Sequence, residues 1–171
     1  MPKLNDHRFA IGLIAVLCMV SASVYATPKP APNGITLPDD YRRWDVIAVS
    51  QRRDNQTLRV ILGNPAAMAA VRQGQHQPWP DGSILAKVVW TQAQHEIWPD
   101  ASVPGEFVHV ELMVKDREQY RATGGWGFAR WQGDELKAYG ASTNFSRECF
   151  SCHQPVADQD YVFTVPAAWP K

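Results

Sequence analysis

The chain has 171 residues, which is enough for one domain with a core of its own. Lysine plus arginine and aspartate plus glutamate number 17 each, so the formal net charge is zero, and no basic stripe stands out. This balance argues against nucleic acid and anionic membrane surfaces as partners.

Residues 1–26 have the pattern of a secretory signal peptide. Lys3 and Arg8 supply a positive start, and residues 9–20 form an apolar run that is too short to span a bilayer comfortably. Small residues before Thr27 complete a cleavage site, so the mature chain is predicted to begin there. We therefore expect a periplasmic or secreted protein, with a retained membrane anchor as the less favoured alternative.

Residues 27–40 form a proline-rich lead, and its first part, TPKPAPN, is predicted to be an extended and mobile spacer. The chain from residue 41 to residue 171 has the character of one globular domain. Its apolar residues alternate at period two in several short segments. This pattern predicts strands at residues 44–50, 58–62, 84–90, 107–115 and 126–131.

Short helices are predicted between and after the strands. Asn64 is a good N-cap and Pro65 suits the first helical position, so a helix should run to about Arg72. A second short helix is predicted over residues 115–121, and a helical turn within residues 142–153. The expected fold class is mainly β (α+β), an antiparallel sheet with a few short helices.

The strand predicted at residues 107–115 has two distinct faces. One face is wholly aliphatic and should pack on the core: Val108, Val110, Leu112 and Val114. The other face is mixed: Phe107, His109, Glu111 and Met113. The mixed face is suited to solvent, to a dimer partner or to a cofactor pocket.

The most informative motif is Cys149-Phe150-Ser151-Cys152-His153, the attachment signature of a c-type haem. Two thiols at this spacing add to the two vinyl groups of haem, and the adjacent His153 then serves as an axial ligand of the iron. A thioredoxin-like redox pair would need a βαβ context, and a structural zinc site would need two further ligands. The sequence offers neither, so one covalently bound haem c is the favoured cofactor.

The group on the second face of the iron would decide the function. A methionine or histidine there makes an electron carrier, whereas an open position permits chemistry on small molecules. Five residues are candidates for a sixth ligand: Met68, Met113, His76, His95 and His109. Spacing does not choose among them, and core packing or a surface position is the commoner role for each.

The sequence also resembles the cytochrome P-460 family, which includes the cytochromes c′-beta. The resemblance covers about residues 41–164 and rests on an ordered set of stretches: YRRWDVIAVS, TLRVILGN, WPDGSILAKVVW, FVHVELMVKD, TGGWGFARW, CFSCH and DYVFT. It implies a β-rich homodimer whose five-coordinate iron has a pocket open to nitrogen-oxide ligands. P-460 members oxidise hydroxylamine, and sometimes nitric oxide, and pass electrons to soluble cytochromes. Members of the c′-beta group bind nitric oxide or carbon monoxide with little known catalysis.

The resemblance gives Lys87 a role, because it matches the lysine that is bonded to the porphyrin edge in P-460 proteins. Lys87 lies within an apolar strand, where an unpaired charge is costly and a neutral amine is a better nucleophile. The alternative is a lysine on an edge strand that extends to water.

For hydroxylamine oxidation, a proton acceptor must lie near the bound substrate. Glu111 is the first candidate and Glu148 the second. Arg59 is expected to steady ligand or water, although a haem propionate clamp or a surface charge suits it equally. Asn144 and Phe145 precede the haem motif closely enough to line the pocket.

Overall fold

The structure is a computed structural model that describes residues 27–168. The signal peptide predicted over residues 1–26 lies outside the described residues. Within residues 27–168, no helix has the length and apolar character needed to cross a membrane.

Residues 27–168 form one antiparallel sheet of six strands, in which each strand pairs with the next one along the chain. The strands are β1 (Asp45–Arg52), β2 (Thr57–Gly63), β3 (Ile84–Gln94), β4 (Ser102–Lys115), β5 (Trp126–Gln132) and β6 (Lys137–Ala138). In the described part of the chain, two α-helices accompany the sheet: α1 (Pro65–Arg72) and α2 (Phe145–His153). The predicted mainly-β antiparallel fold is confirmed.

Helix α1 begins and ends where the sequence predicts. The Asn64 side chain accepts a hydrogen bond from the backbone N–H of Ala67 at 3.0 Å, and Pro65 is the first helical residue. The helix predicted over residues 115–121 is wrong. Lys115 is the last residue of β4, and the Asp116 carboxylate accepts hydrogen bonds from the next backbone amides, which favours a turn. Only a short 3-10 turn, Arg121–Thr123, follows.

The mobile spacer predicted over residues 27–33 is wrong as well, because this segment packs on the sheet. The indole N–H of Trp131 donates to the carbonyl oxygen of Lys29 at 2.8 Å. The side-chain amide of Asn33 donates to the carbonyl oxygen of Phe128, also at 2.8 Å. Ala31 is buried in the core. These long-range contacts involve backbone groups that no local composition reveals.

The sheet has a core on each face. Val110 and Leu112 are buried in the first core, which also holds Trp131 and apolar residues of the lead. Val114 packs against the same core, so the predicted aliphatic face of β4 is confirmed for these three residues. The second core contains Leu85 and Phe128 on the opposite face of the sheet, together with residues of α1. Three residues of the predicted mixed face lie on this second side: His109, Glu111 and Met113. The placement of Phe107 on that face is wrong, because an irregularity in the pairing with β3 interrupts the alternation and Phe107 packs on the first core.

Candidate functional site

A cavity of about 780 Å³ opens on the second face of the sheet. Its walls come from β1 to β5, from α2 and from residues 162–165 near the end of the described chain. The volume lies within the range of about 300–1,000 Å³ that is usual for small-molecule and cofactor pockets.

A row of charged side chains crosses the sheet in the wall of this cavity. Lys87 on β3 lies opposite Glu111 on β4, and Glu111 lies opposite Arg130 on β5. Directly opposed residues in an antiparallel sheet project to the same face, so the three charges meet. Strand β3 is hydrogen-bonded on both sides, to β2 and to β4, which excludes the edge-strand alternative for Lys87.

Glu111 is the centre of this row. Its carboxylate forms an ion pair with Lys87 Nζ and accepts a hydrogen bond from Arg130 Nε at 2.7 Å. Burial by itself raises the pKa of Glu111, but the charges of Lys87 and Arg130 outweigh it and lower the pKa to about 2. Glu111 is therefore ionised, and the three residues form a compensated cluster.

His109 lies beside this cluster, with its Nε2 3.5 Å from a carboxylate oxygen of Glu111. Burial lowers the pKa of His109 to about 4, against the attraction of the nearby carboxylate. The imidazole is consequently neutral near pH 7.

Helix α2 brings the cysteines and the histidine of the motif to the same cavity. Cys149, Cys152 and His153 occupy positions i, i+3 and i+4, which lie on one side of a helix. Both cysteines are free thiols. Burial raises the pKa of the Cys149 thiol. The predicted helical turn within residues 142–153 is confirmed.

The His153 ring is held in an orientation that suits a metal ligand. Its Nδ1–H donates to the backbone carbonyl oxygen of Tyr161 at 2.7 Å, which leaves the lone pair on the other ring nitrogen. Burial lowers the pKa of His153 and favours the neutral ring. The rings of Phe128 and Phe163 each lie 5.2 Å from it, centroid to centroid. A neutral, oriented imidazole beside two free thiols fits a covalently attached haem.

The remaining sequence candidates divide between the cavity and other places. Arg59 lies in the cavity wall, where its Nη2 donates to Thr57 Oγ1 at 3.0 Å. Its Nε is buried and has no hydrogen-bond partner among residues 27–168. Glu148 lines the cavity from an exposed position and accepts a hydrogen bond from the Tyr139 hydroxyl at 3.1 Å.

Asn144 and Phe145 do not line the cavity, so that prediction is wrong. Phe145 is buried in the first core, and Asn144 is exposed at the start of α2. Phe145 lies one turn before Cys149 and packs into the first core, which Cys149 also contacts, so closeness to the motif in sequence does not bring its ring into the cavity wall.

Of the five candidates for a sixth ligand, Met113 is the one that lines the cavity. The other four have structural contacts elsewhere. Met68 is buried in the second core, and the His76 ring lies 5.4 Å from that of Trp79. His95 accepts hydrogen bonds from two amides of its own hairpin turn, and His109 lies beside Glu111.

Arg130 and Tyr161 contribute to the site but were not predicted from the sequence. Arg130 interrupts the apolar run of β5, and a polar residue within such a run is the signal that marks it. Tyr161 contributes a backbone carbonyl, which any residue type has. The sequence therefore contains no signal for its role.

The family model described as Cytochrome P460 matches residues 38–164. The matched region contains all six strands, both α-helices and every cavity residue named above except Val165. No curated protein matches the chain. Family members are haem proteins, which agrees with the thiols and the oriented imidazole in the cavity. On the extent of this match, the chain belongs to the cytochrome P460 family.

Proposed function

We propose that this protein is a periplasmic mono-haem cytochrome, with haem bonded to Cys149 and Cys152 and with His153 as the axial ligand. The observation that carries the proposal is the convergence of these three residues on the cavity that also contains Lys87. Each S–H adds across a vinyl double bond, so the attachment itself needs no oxidant. When bound, the haem would supply a redox-active iron able to take a small nitrogen-oxide ligand.

Lys87 is the residue that directs the proposal toward hydroxylamine oxidation. Its side chain is 33% exposed on a central strand and belongs to the cavity wall. In the proposed mature protein, Lys87 Nζ would be bonded to the porphyrin edge, as in P-460 proteins. Lys87 would lose one hydrogen and the ring edge another, and the two electrons and two protons would reduce a peroxide to water.

Glu111 is the proposed proton acceptor both when the lysine bond forms and when hydroxylamine is oxidised. Its carboxylate contacts Lys87 Nζ and is positioned to take the proton that the amine must lose. Once Lys87 is part of a covalent bond, Glu111 loses one of the two cations that lower its pKa. A carboxylate released in this way is a stronger base toward substrate protons. The electrons from hydroxylamine pass to a soluble cytochrome c acceptor.

Arg59 has two roles that fit its surroundings. Its buried, unsatisfied Nε is a donor for an oxygen of the bound substrate or for a haem propionate. Arg130 already donates to Glu111, and its guanidinium lies 4.8 Å from the centre of the Tyr139 ring. Arg130 therefore holds the proton acceptor in place.

A second candidate function is reversible binding of nitric oxide or carbon monoxide without the lysine bond. The largely apolar character of the cavity favours it, since neutral diatomic gases need little polar contact. The apolar part of the wall includes Ala48, Ile61, Leu85, Phe128 and Val162. A six-coordinate electron carrier is the third option, with Met113 as the ligand to test.

The decisive experiment is proteolysis of the purified holoprotein followed by mass spectrometry. A peptide containing Lys87 that stays joined to the haem peptide supports the lysine bond. The Lys87→Ala variant should then lose a red-shifted ferrous absorption spectrum and show an ordinary c-type one. Lys137→Ala, which removes an exposed lysine on β6, is the matched control and should leave the spectrum unchanged. An identical spectrum in wild type and Lys87→Ala contradicts the lysine bond.

Turnover separates the proposed functions. Wild type should oxidise hydroxylamine with a soluble cytochrome c as acceptor, and Lys87→Ala should not. Binding of nitric oxide without turnover in wild type would favour the second function. A low-spin, six-coordinate ferric spectrum at rest would exclude an open iron site. Light scattering of the holoprotein tests the proposed homodimer.

A further inference from the structure

The segment that follows α2 contains two residues whose backbone conformation must be stabilised by contacts with the rest of the domain. Asp160 and Tyr161 have φ angles of +52° and +64°, and neither is a glycine. Such left-handed conformations are unfavourable for most residues with side chains. Tyr161 is also the residue whose carbonyl oxygen accepts the hydrogen bond from His153. The contacts that hold this pair of residues therefore bear on the histidine.

Asp160 is fixed by contacts from distant parts of the chain. Its carboxylate forms an ion pair with Lys115 Nζ at 2.7 Å and accepts a hydrogen bond from the Trp79 backbone N–H at 2.9 Å. Its backbone carbonyl accepts a hydrogen bond from the indole N–H of Trp126 at 2.8 Å. Three segments, before β3, at the end of β4 and at the start of β5, thus converge on one residue.

Lys115 is the most enclosed member of this group. Its side chain is 2% exposed, and that of Asp160 is 12% exposed. Lys115 Nζ also donates to the carbonyl oxygen of Gly124 at 3.3 Å and lies 4.7 Å from the centre of the Trp126 ring. A buried ion pair costs desolvation and often adds little net stability, so stability alone is a weak reason for it. Because Asp160 directly precedes Tyr161 in the chain, the ion pair is placed to have a more specific role.

We propose that the Lys115–Asp160 ion pair is a positioning device for the axial histidine. It holds the Tyr161 carbonyl at the distance and angle that His153 Nδ1 requires. A firm hydrogen bond at Nδ1 makes the other ring nitrogen a stronger donor to iron, which favours the ferric state. This inference rests on the proposed haem ligation by His153 and is independent of hydroxylamine oxidation.

The test uses the full holoprotein and two readouts of the axial bond. Lys115→Met removes the cation at similar length, and Asp160→Asn removes the charge while retaining an acceptor for Trp79. In both variants we expect the reduction potential to rise. We also expect the iron–histidine stretching band, measured by resonance Raman spectroscopy of the ferrous protein, to broaden and move to lower frequency. Lys115→Arg, which keeps the charge, should return both readouts part of the way to wild type.

Asn64→Ala is the matched control, because it removes the N-cap of α1 and lowers stability at a position that does not contact Asp160 or Tyr161. Its potential and stretching band should equal those of wild type. The inference is overturned if Lys115→Met and Asp160→Asn move the two readouts no more than this control does. If Lys115→Met yields too little protein, Asp160→Asn decides alone.

The outcomes also separate this inference from the proposed function. Wild-type protein without covalent haem would overturn the haem ligation itself. Haem protein with unchanged axial signals in the variants would overturn only the positioning role. Absence of hydroxylamine turnover would leave the positioning role intact.

Discussion

At the scale of single residues, the site is governed by how buried charges are compensated. The Glu111 side chain is 18% exposed in the cavity wall, where burial by itself raises the pKa of a carboxylate. The two cations on the neighbouring strands reverse this tendency, and its pKa falls to about 2 from the ordinary 4.5. The charge state of Glu111 is thus a property of the sheet register rather than of the residue type.

The lowered pKa of Glu111 predicts an acid-dependent loss of stability. The Glu111 carboxylate binds a proton less readily in the folded protein than in the unfolded chain. The stabilisation that ionised Glu111 gives the fold is therefore complete above about pH 4.5 and is lost as the pH falls toward about 2. The amount is on the order of 3 kcal/mol. Urea unfolding of wild type and Glu111→Gln across this pH range measures it.

The Glu111→Gln variant should show a smaller decline in unfolding free energy between these pH values. The exposed Glu106 on the same strand provides the control, and Glu106→Gln should retain the wild-type pH dependence. Equal pH profiles for wild type and Glu111→Gln would contradict the prediction.

The cost of replacing Gly124 also depends on its surroundings, in this case through steric contact. It has a φ of +67°, and a Cβ atom placed on it would lie 2.2 Å from the Tyr161 ring. Gly82 has a similar φ of +85° but open space around it. Alanine at Gly82 should cost about 1 kcal/mol for the left-handed backbone. Alanine at Gly124 should cost about 1–3 kcal/mol more, because the ring must move.

Denaturant unfolding of Gly82→Ala and Gly124→Ala measures this difference directly. Since both variants pay the same kind of backbone penalty, the excess for Gly124→Ala reports the packing of the Tyr161 ring. Equal losses of stability in the two variants would show that the ring makes way at no cost.

At the scale of elements, Asn64 connects α1 to the sheet. Its side-chain oxygen accepts hydrogen bonds at 3.0 Å from the backbone amides of both Ala67 and Ile84, and its amide group donates to the Gly82 carbonyl oxygen. One side chain therefore caps α1 and fixes the start of β3. Neither Asn64 nor any of these three partners lines the cavity.

Replacing Asn64 with alanine should destabilise the protein by about 1–3 kcal/mol, since the Ala67 amide of the helix and the Ile84 amide of the strand both lose their acceptor. Asn64→Asp retains the accepting oxygen and should lose less. Thermal unfolding with calorimetry compares the two variants. A loss as large in Asn64→Asp as in Asn64→Ala would contradict the shared-acceptor explanation.

At the scale of the whole molecule, the cavity makes the protein dependent on what occupies it. About 780 Å³ lies between the sheet, α2 and the C-terminal segment, and Phe163 and Val165 at its edge are exposed. A ligand that binds only the folded state adds its binding free energy to stability. The proposed haem would remain attached to Cys149 and Cys152 in the unfolded chain, so it would stabilise the fold through the contacts that it makes in the cavity only when the chain is folded.

Removing the cofactor tests this dependence. The double variant Cys149→Ser, Cys152→Ser should carry no covalent haem and should unfold at a lower temperature than the holoprotein. The rate of amide hydrogen exchange should rise most in α2, because that helix would lose its contact with the proposed haem. Conversely, equal melting temperatures and equal exchange in α2 would show that the cavity does not depend on haem.

The sequence by itself predicted strands β1 to β5, helix α1, most of the aliphatic face of β4 and the haem motif, but not the two-residue strand β6. These features depend on neighbours along the chain, such as alternation at period two, an N-cap followed by proline, and the spacing of Cys149, Cys152 and His153. The resemblance to a family singled out Lys87 in the same way, because it rests on short stretches of neighbouring residues compared in chain order.

Only the tertiary structure decided which charges meet and how the histidine is held. The pairing of Lys87, Glu111 and Arg130 follows from strand register, and strand register depends on the whole sheet. The link from Lys115 through Asp160 to the Tyr161 carbonyl joins segments that are remote in sequence and includes a backbone atom. Electrostatic and hydrogen-bonding interactions depend on distance in space, and for such pairs that distance exists only once the chain has folded.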